Sequence, residues 1–450
     1  LTGSGAVLAR MDELQAALGE LQRATTAQGQ LLDAQNQRLE AFQARLEEAQ
    51  TRERNRAIAE TIAARPVDEP VRVTFFFQFP ETWSTWATVW EALTQDARAE
   101  VTIVSLPFFH DEDGAEDRLR AFLAERDLPF VSHAAYDLEA DAPDVVFFQN
   151  PYDSTRPEEY AARRLKELGI RLAYVPYALD MGGGADSLRW QYDLELHRLA
   201  WRVFVRSPRN RRMYARYCQA GSAHVISTGH PKLDRFSQGI MESRSGPLAK
   251  ALGNRRAVLW TPHFSVEEGG WSTYLQNGET ILSAFEKQDD LALIMRPHPL
   301  FFPRLRKLGL MDEEGEAAFR ERLKVAGMIL DESPDYAEAF ACSEAMIADA
   351  GSFLLEYLPT QKPVLYLDQP LGPGLMEEGA FVQDYYQGRS QGEILAFIEM
   401  LARGEDPLKA RRLALIPEYL TQLDGRSGAR IAMHIIEGVQ TERRQGRCRA

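Results

Sequence analysis

Five short apolar runs alternate with amphipathic stretches after residue 70. The runs are Val71 to Phe77, Val101 to Ser105, Val145 to Phe148, Leu172 to Val175 and Val203 to Val205. The stretches between them, such as Thr85 to Leu93, Ala115 to Glu125 and Pro157 to Leu168, carry a helical period. Runs this continuous read as parallel strands buried on both faces, which requires helices on either side of the sheet. A second series follows, with strands expected at Val258 to Trp260, Leu291 to Met295, Met328 to Leu330, Ala345 to Ala348 and Val364 to Leu367. Helices fit Gly278 to Glu286, Glu313 to Val325 and Tyr336 to Ala341, and a final helical region runs from Ser390 to about Val439. The fold class is α/β, with two Rossmann-like lobes facing a cleft.

The first segment differs in kind. Leu14, Leu18, Leu21, Thr25, Gln28, Leu32, Gln35, Leu39, Phe42, Leu46 and Ala49 follow one another at alternating steps of three and four. That is a heptad seam, with polar Thr25, Gln28 and Gln35 inside it and Gly29 beside it. A seam so narrow suits a partner helix and favours self-association, the alternative being a single helix lying on the globular body. Pro66 and Pro70 mark the end of this arm. The expected organisation is a coiled-coil arm over 1–65, a first lobe over 70–225 and a second lobe with terminal helices over 226–440.

Charge and cysteine content narrow the function. With 66 Asp+Glu against 52 Lys+Arg the net charge is −14, which argues against a nucleic-acid binder. Cys218, Cys342 and Cys448 are odd in number and scattered, so they give neither a disulfide framework nor a zinc pattern. No run approaches the ~20 apolar residues that span a bilayer, and no signal peptide is read. The opening Leu1-Thr2-Gly3-Ser4-Gly5 reads as an added or truncated start. The expected compartment is the cytoplasm, or the inner face of its membrane.

Five segments could carry chemistry, most of them just after a strand. Thr228-Gly229-His230-Pro231-Lys232-Leu233-Asp234 lies at the lobe junction, as a hinge or as part of a site. Thr261-Pro262-His263-Phe264-Ser265 ends the first strand of the second lobe, and Met295-Arg296-Pro297-His298-Pro299 ends the next. Two imidazoles at the carboxyl ends of neighbouring strands would face the cleft, and Arg296 offers a bidentate fork for phosphate. In Asp349-Ala350-Gly351-Ser352, Gly351 and Ser352 would present backbone N–H groups to a pyrophosphate, with Glu356 placed for ribose hydroxyls; the plainer reading is a helix cap. A loop with repeated Gly and Pro, from Tyr366 to Gly379, is placed to close over a base or sugar.

Taken in order, TGHPKLD, VLWTPH, MRPHP and IADAGSFLLEYLPTQKPVLYLD resemble the CDP-glycerol glycerophosphotransferase family of teichoic-acid polymerases, over Ser227 to about Gly388. The resemblance implies a GT-B architecture, a nucleotide-diphosphate donor in the second lobe with CDP favoured, and His298 and Asp349 to Ser352 at the donor diphosphate. No further cofactor and no metal are expected. Family members place a His-Gly pair after a first-lobe strand, its His the proposed base. Here that stretch reads Tyr174-Val175-Pro176-Tyr177-Ala178-Leu179-Asp180. Asp180 is the candidate base in its place, and His298, which would stabilise charge on the leaving phosphate, and His263 are the other candidate catalytic residues. The expected function is transfer of a sugar or phosphoalcohol to a glycan or lipid-linked acceptor in cell-surface polysaccharide synthesis. Phe79 to Trp83 and Asn150 to Asp153 are the expected acceptor side. The same segments resemble, less closely, the non-hydrolysing UDP-N-acetylglucosamine 2-epimerases. A third reading is a coiled-coil scaffold with an inactive body.

Overall fold

The computed structural model describes residues 4–109, 115–179, 181–184, 186–236, 246–288, 290–333 and 335–447. It divides into two units, Leu1–Thr61 and Ile62–Ala450. The described residues of the first lie in one uninterrupted helix, the 61-residue span Ser4–Ala64. Pro66, which has no amide hydrogen to donate, follows its end.

The second unit holds two parallel sheets. In the first, β1 (Val71–Phe77), β2 (Ala99–Ser105), β3 (Phe130–Ser132), β4 (Val145–Phe148), β5 (Arg171–Tyr174), β6 (Arg202–Val205) and β7 (Val225–Ser227) lie in the order β3-β2-β1-β4-β5-β6-β7. In the second, β8 (Arg256–Thr261), β9 (Leu291–Met295), β10 (Ile329–Leu330), β11 (Ala345–Ala348), β12 (Val364–Tyr366) and β13 (Tyr386–Gln387) lie in the order β10-β9-β8-β11-β12-β13. The strand order therefore reverses beside β1 and beside β8, and the loops leaving those strands open at the carboxyl edge, where α/β sheets bind ligands. This is the expected pair of Rossmann-like lobes.

Some elements differ from expectation. Strands β3, β7 and β13 are two or three residues long, too short to register as apolar runs. Strand β7 also carries the first sheet past the boundary expected at residue 225. The stretch Pro157 to Leu168 is broken into a 3-10 turn, Glu158–Tyr160, and a short helix, Ala162–Glu167.

The last helix, Ser427–Arg447, corrects the expected extent of the second lobe, because it packs on the first. Ile431, Ile435, Ile436 and Val439 form an apolar stripe at helical spacing and join the core of Val71, Phe75, Trp86 and Phe147. Close approach needs Gly428, where a Cβ would stand 2.3 Å from the Thr88 backbone. At the far end, the Arg443 guanidinium donates to the carbonyls of Pro66 at 3.0 Å and Glu69 at 2.7 Å, and to buried Asp144 at 2.7 Å.

The junction segment Thr228 to Asp234 ties three parts together. Gly229 has φ +79°, a conformation that glycine reaches without strain, and a Cβ there would meet Ser427 Oγ at 2.5 Å. His230 Nδ1 accepts the Lys232 N–H at 3.3 Å, and Nε2 donates to the Pro176 carbonyl of the first lobe at 2.8 Å. Lys232 Nζ reaches Glu356 Oε1 of the second lobe at 3.4 Å. Asp234 accepts the N–H groups of Ser427 and Gly428, both at 2.9 Å, and the Thr88 hydroxyl at 2.8 Å, so it caps the last helix. Replacing Asp234 by Ala leaves those donors unpaired; urea unfolding should show a loss of roughly 2–4 kcal/mol.

His230 also sets a pH dependence. Burial holds its imidazole at about 4, below the ordinary 6.5. The unfolded chain therefore takes up the proton first as pH falls. The stability contributed by the neutral ring is present above about pH 6.5 and is lost toward about pH 4. In His230→Asn the slope of stability with pH across that window should be shallower, by up to about 1.4 kcal/mol per pH unit. An unchanged slope in urea titrations would assign the dependence to other groups.

Candidate active site

The site is built on the carboxyl ends of β8, β9, β11 and β12. Register puts Trp260 beside Met295 and Thr261 beside Ala348, so the loops of β8, β9 and β11 leave the sheet at one level. His263 and His298 come together there, with ring centroids 5.7 Å apart. Phe264 lies 4.5 Å from each ring, and Trp271 stands edge-on to His263 at 5.5 Å.

The tautomers follow from the loop geometry. The Ser265 N–H donates to His263 Nδ1 at 3.1 Å, and the Leu300 N–H donates to His298 Nδ1 at 3.1 Å. A neutral imidazole that accepts at Nδ1 carries its proton on Nε2. Burial holds the His263 ring below the ordinary value, to about 4; His298, whose residue is exposed, is lowered in the same direction by the protein around its ring and by the neighbouring His263. At neutral pH the loops thus hold two uncharged imidazoles side by side, each with an Nε2–H.

Asp349 does not present a free carboxylate. It is buried, and its oxygens accept the His263 N–H at 2.8 Å, the Thr273 N–H at 3.1 Å, and the hydroxyls of Thr273 at 2.6 Å and Ser272 at 3.3 Å. Burial pushes its carboxyl up to about 6, while those donors favour the charged form. Its work is to fold the His263 loop back onto β11. Sequence reading missed Ser272 and Thr273 as its partners, since nothing in a hydroxyl pair marks a distant acceptor.

Arg296 is also engaged otherwise than expected. Its guanidinium donates to Asp331 Oδ2 at 2.6 Å, to Ser333 Oγ at 3.2 Å and to the Ser333 carbonyl at 2.7 Å. The fork expected to take phosphate instead ties the His298 loop to the chain following β10. Glu356 is fully buried and faces Lys232, so its carboxylate points into the junction. Burial alone would raise its pKa, but the Lys232 charge and nearby donors hold it below the ordinary value. Gly351 and Ser352 lead into the short helix Phe353–Glu356, and a Cβ at Gly351 would meet nothing within 4 Å. Of the eight expected site residues, His263 and His298 are brought together, Gly351 and Ser352 remain accessible, and Asp349, Arg296 and Glu356 are committed within the protein. Asp180 lies outside the described residues. Among the described residues no group of three or more His, Cys, Asp or Glu is placed to hold a metal.

The loop beyond β12 crosses to the first lobe. The Gly183 N–H donates to the Gly374 carbonyl at 2.8 Å, the Met376 N–H to the Met181 carbonyl at 2.9 Å, and Gly182 and Leu375 form an antiparallel bridge. Buried Glu378, farther along, binds both Arg206, after β6, and Arg209 at 2.8 Å. On the first-lobe side, Gln149 ties the ends of β1 and β4, accepting the N–H groups of Gln78 at 2.6 Å and Phe79 at 2.9 Å. Trp83 packs on Phe77, Trp90 and Phe122 as a core residue. Tyr152 instead lines a small half-open cavity with Tyr177, Trp190, Gln191, Arg206 and Asn210. Trp190, 48% exposed, was not singled out by sequence reading.

Comparison with known proteins places this geometry. The UDP-GlcNAc 2-epimerase of Neisseria meningitidis bound to UDP-GlcNAc superposes with a TM-score of 0.56 at 14% identity, covering 82% of this chain and 100% of that one. A variant of the wall teichoic acid polymerase TagF gives 0.56 at 10% identity, covering 87% and 94%. The TagF variant soaked with CDPG gives 0.53 at 10% identity, covering 87% and 94%. Likeness at these identities establishes the shared fold. No curated protein sequence matches the chain significantly. The family model described as CDP-Glycerol:Poly(glycerophosphate) glycerophosphotransferase matches residues 161–437, more than half of the chain, from just before β5 to within the last helix. The chain therefore belongs to the CDP-glycerol:poly(glycerophosphate) glycerophosphotransferase family and is a transferase of GT-B architecture.

Proposed function

We propose that the protein transfers a phosphoalcohol, glycerophosphate in the first instance, from a CDP-linked donor to a hydroxyl of a glycan or lipid-linked acceptor. The observation that carries this reading is the pair of neutral imidazoles at the ends of β8 and β9, each with Nδ1 occupied and Nε2–H available. Such donors suit an anionic leaving group, because their hydrogen bonds strengthen as charge grows on the phosphate oxygen. The acceptor oxygen attacks the phosphorus of the transferred group, the P–O bond to CMP breaks, and the acceptor proton passes to a base. Asp180 is the candidate base. Its described neighbours Leu179 and Met181 are buried in the core shared by the two lobes. The Gly351–Ser352 turn is the proposed seat of the diphosphate. Arg296 and Asp349 act by positioning the two His loops.

The acceptor meets the first lobe at the cavity of Tyr152, Tyr177 and Trp190, where aromatic faces lie beside hydroxyl and amide groups. We place the reaction in the cytoplasm or at the inner face of its membrane; no helix among the described residues is long and apolar enough to cross one. The arm joins copies of the chain into a homo-oligomer.

The epimerase reading has one observation in its favour, the equal TM-score of the epimerase and polymerase neighbours. Thermal shift with CDP, CMP, UDP and UMP separates the readings. A donor at 100 times its Kd stabilises by about 2.7 kcal/mol, and CDP should do so. A response to UDP alone favours the epimerase, and no response to any nucleotide favours the scaffold.

With CDP-glycerol and a polyol acceptor, His298→Ala should lower turnover by roughly a hundredfold or more while the unfolding midpoint stays near the parent's. Asp180→Asn should lower turnover without weakening donor binding by calorimetry. Full turnover in Asp180→Asn would place the base elsewhere.

A further inference from the structure

The heptad seam of the arm specifies how two copies meet. Met11, Leu18, Thr25, Leu32, Leu39 and Leu46 fall at a positions, and Leu14, Leu21, Gln28, Gln35, Phe42 and Ala49 at d. The span is helical throughout, and its seam leucines are between 49% and 66% exposed, so the helix itself leaves them uncovered. A single helix with this much apolar surface in one stripe calls for a partner.

The three polar seam residues distinguish the possible partners' orientations. In a parallel, in-register pair each a residue faces its own copy, and so does each d residue. Each apolar layer then pairs a residue with its own copy, leucine with leucine in Leu14, Leu18, Leu21, Leu32, Leu39 and Leu46 and likewise for Met11, Phe42 and Ala49, and Thr25, Gln28 and Gln35 each meet their own kind. A glutamine amide both donates and accepts, so two facing amides satisfy one another. In an antiparallel pair a faces d. The centred register sets Leu32 against the partner's Gln28. A shift of one heptad sets either Leu18 against the partner's Gln35 or Leu39 against the partner's Gln28. Each such layer occurs twice by symmetry and buries an amide against an aliphatic chain without a partner for it. Only the parallel arrangement sorts polar with polar in every layer.

We propose that the arm binds the arm of a second copy of this chain as a parallel, in-register coiled coil, with Thr25, Gln28 and Gln35 as the layers that set direction and register. The proposal rests on the self-association stated above and adds its geometry. Two chains so joined leave the coil at the same end, so both transferase bodies are delivered to one side.

The test uses the full chain carrying Cys448→Ser, with Cys218 and Cys342 buried. Light scattering first establishes the oligomer; a monomer overturns the self-association itself. Ala49→Cys is then oxidised under mild conditions. In the parallel coil the two introduced thiols share a layer, and most of the protein should become a covalent dimer. In the centred antiparallel coil they stand about 57 Å apart and Ala49→Cys instead meets Met11→Cys of the other chain. An oligomer that forms no 49–49 disulfide, or that cross-links Met11→Cys chains to Ala49→Cys chains, overturns the orientation while leaving self-association intact. In Gln28→Leu/Gln35→Leu the discrimination should weaken, and 11–49 cross-links should appear beside 49–49. Their absence would remove the register-setting role from the two glutamines.

Discussion

Glu378 is fully buried between the guanidinium groups of Arg206 and Arg209, and the apposition of the two lobes depends on that contact. A carboxylate removed from water is costly unless its charge is met, and here both partners come from the other lobe. Parting the lobes would leave Glu378 and Arg206 to find water separately. The contact therefore favours one relative placement over a range of hinge angles. It is supported around the rim, where Arg209 also reaches Glu418 at 2.7 Å and Arg216 reaches Glu377 at 2.7 Å. The backbone pairing of Met181 to Gly183 with Gly374 to Met376 lies beside it, and Gly183 has no room for a side chain, since a Cβ would stand 2.5 Å from the Pro373 carbonyl. The cleft is thus bounded on one side by main chain.

The sequence made the sheets readable because burial on both faces turns a parallel strand into an unbroken apolar run, as in Val71 to Phe77 and Leu291 to Met295. It was less informative where an element is short. The strand Tyr386–Gln387 takes its pairing from β12 alone, and two residues carry no period. The last helix was legible as a helix but not as a neighbour of β1, because its apolar stripe says that it packs and not on what. Gly428 and Asp234 hold that information jointly, nearly two hundred residues apart in the chain.

The site shows the same division. His263 and His298 were legible as a pair because both sit directly after strands, where topology fixes position. Arg296, Asp349 and Glu356 have the residue types expected at a phosphate or a ribose, yet each is engaged by the protein through partners distant in sequence: Asp331, Thr273 and Lys232. Residue type announces what a side chain can bind; only three-dimensional pairing decides whether that capacity is still open. The amide network of Gln78, Gln149 and Asn150 illustrates the converse, an array of polar groups behind the first-lobe loops that serves to hold two strand ends together.

The return of the last helix to the first lobe has a mechanical consequence. The chain enters the second lobe once, after β7, and leaves it once, before Ser427. In covalent terms the second lobe is an insertion carried by the first, with both of its connections on the same side. Arg443 meanwhile fastens the end of the chain to the backbone just ahead of β1, at Pro66 and Glu69. A load applied through either end of this unit is taken up by the first lobe and bypasses the second. The second lobe is thereby mechanically insulated from a pull on either end of the unit.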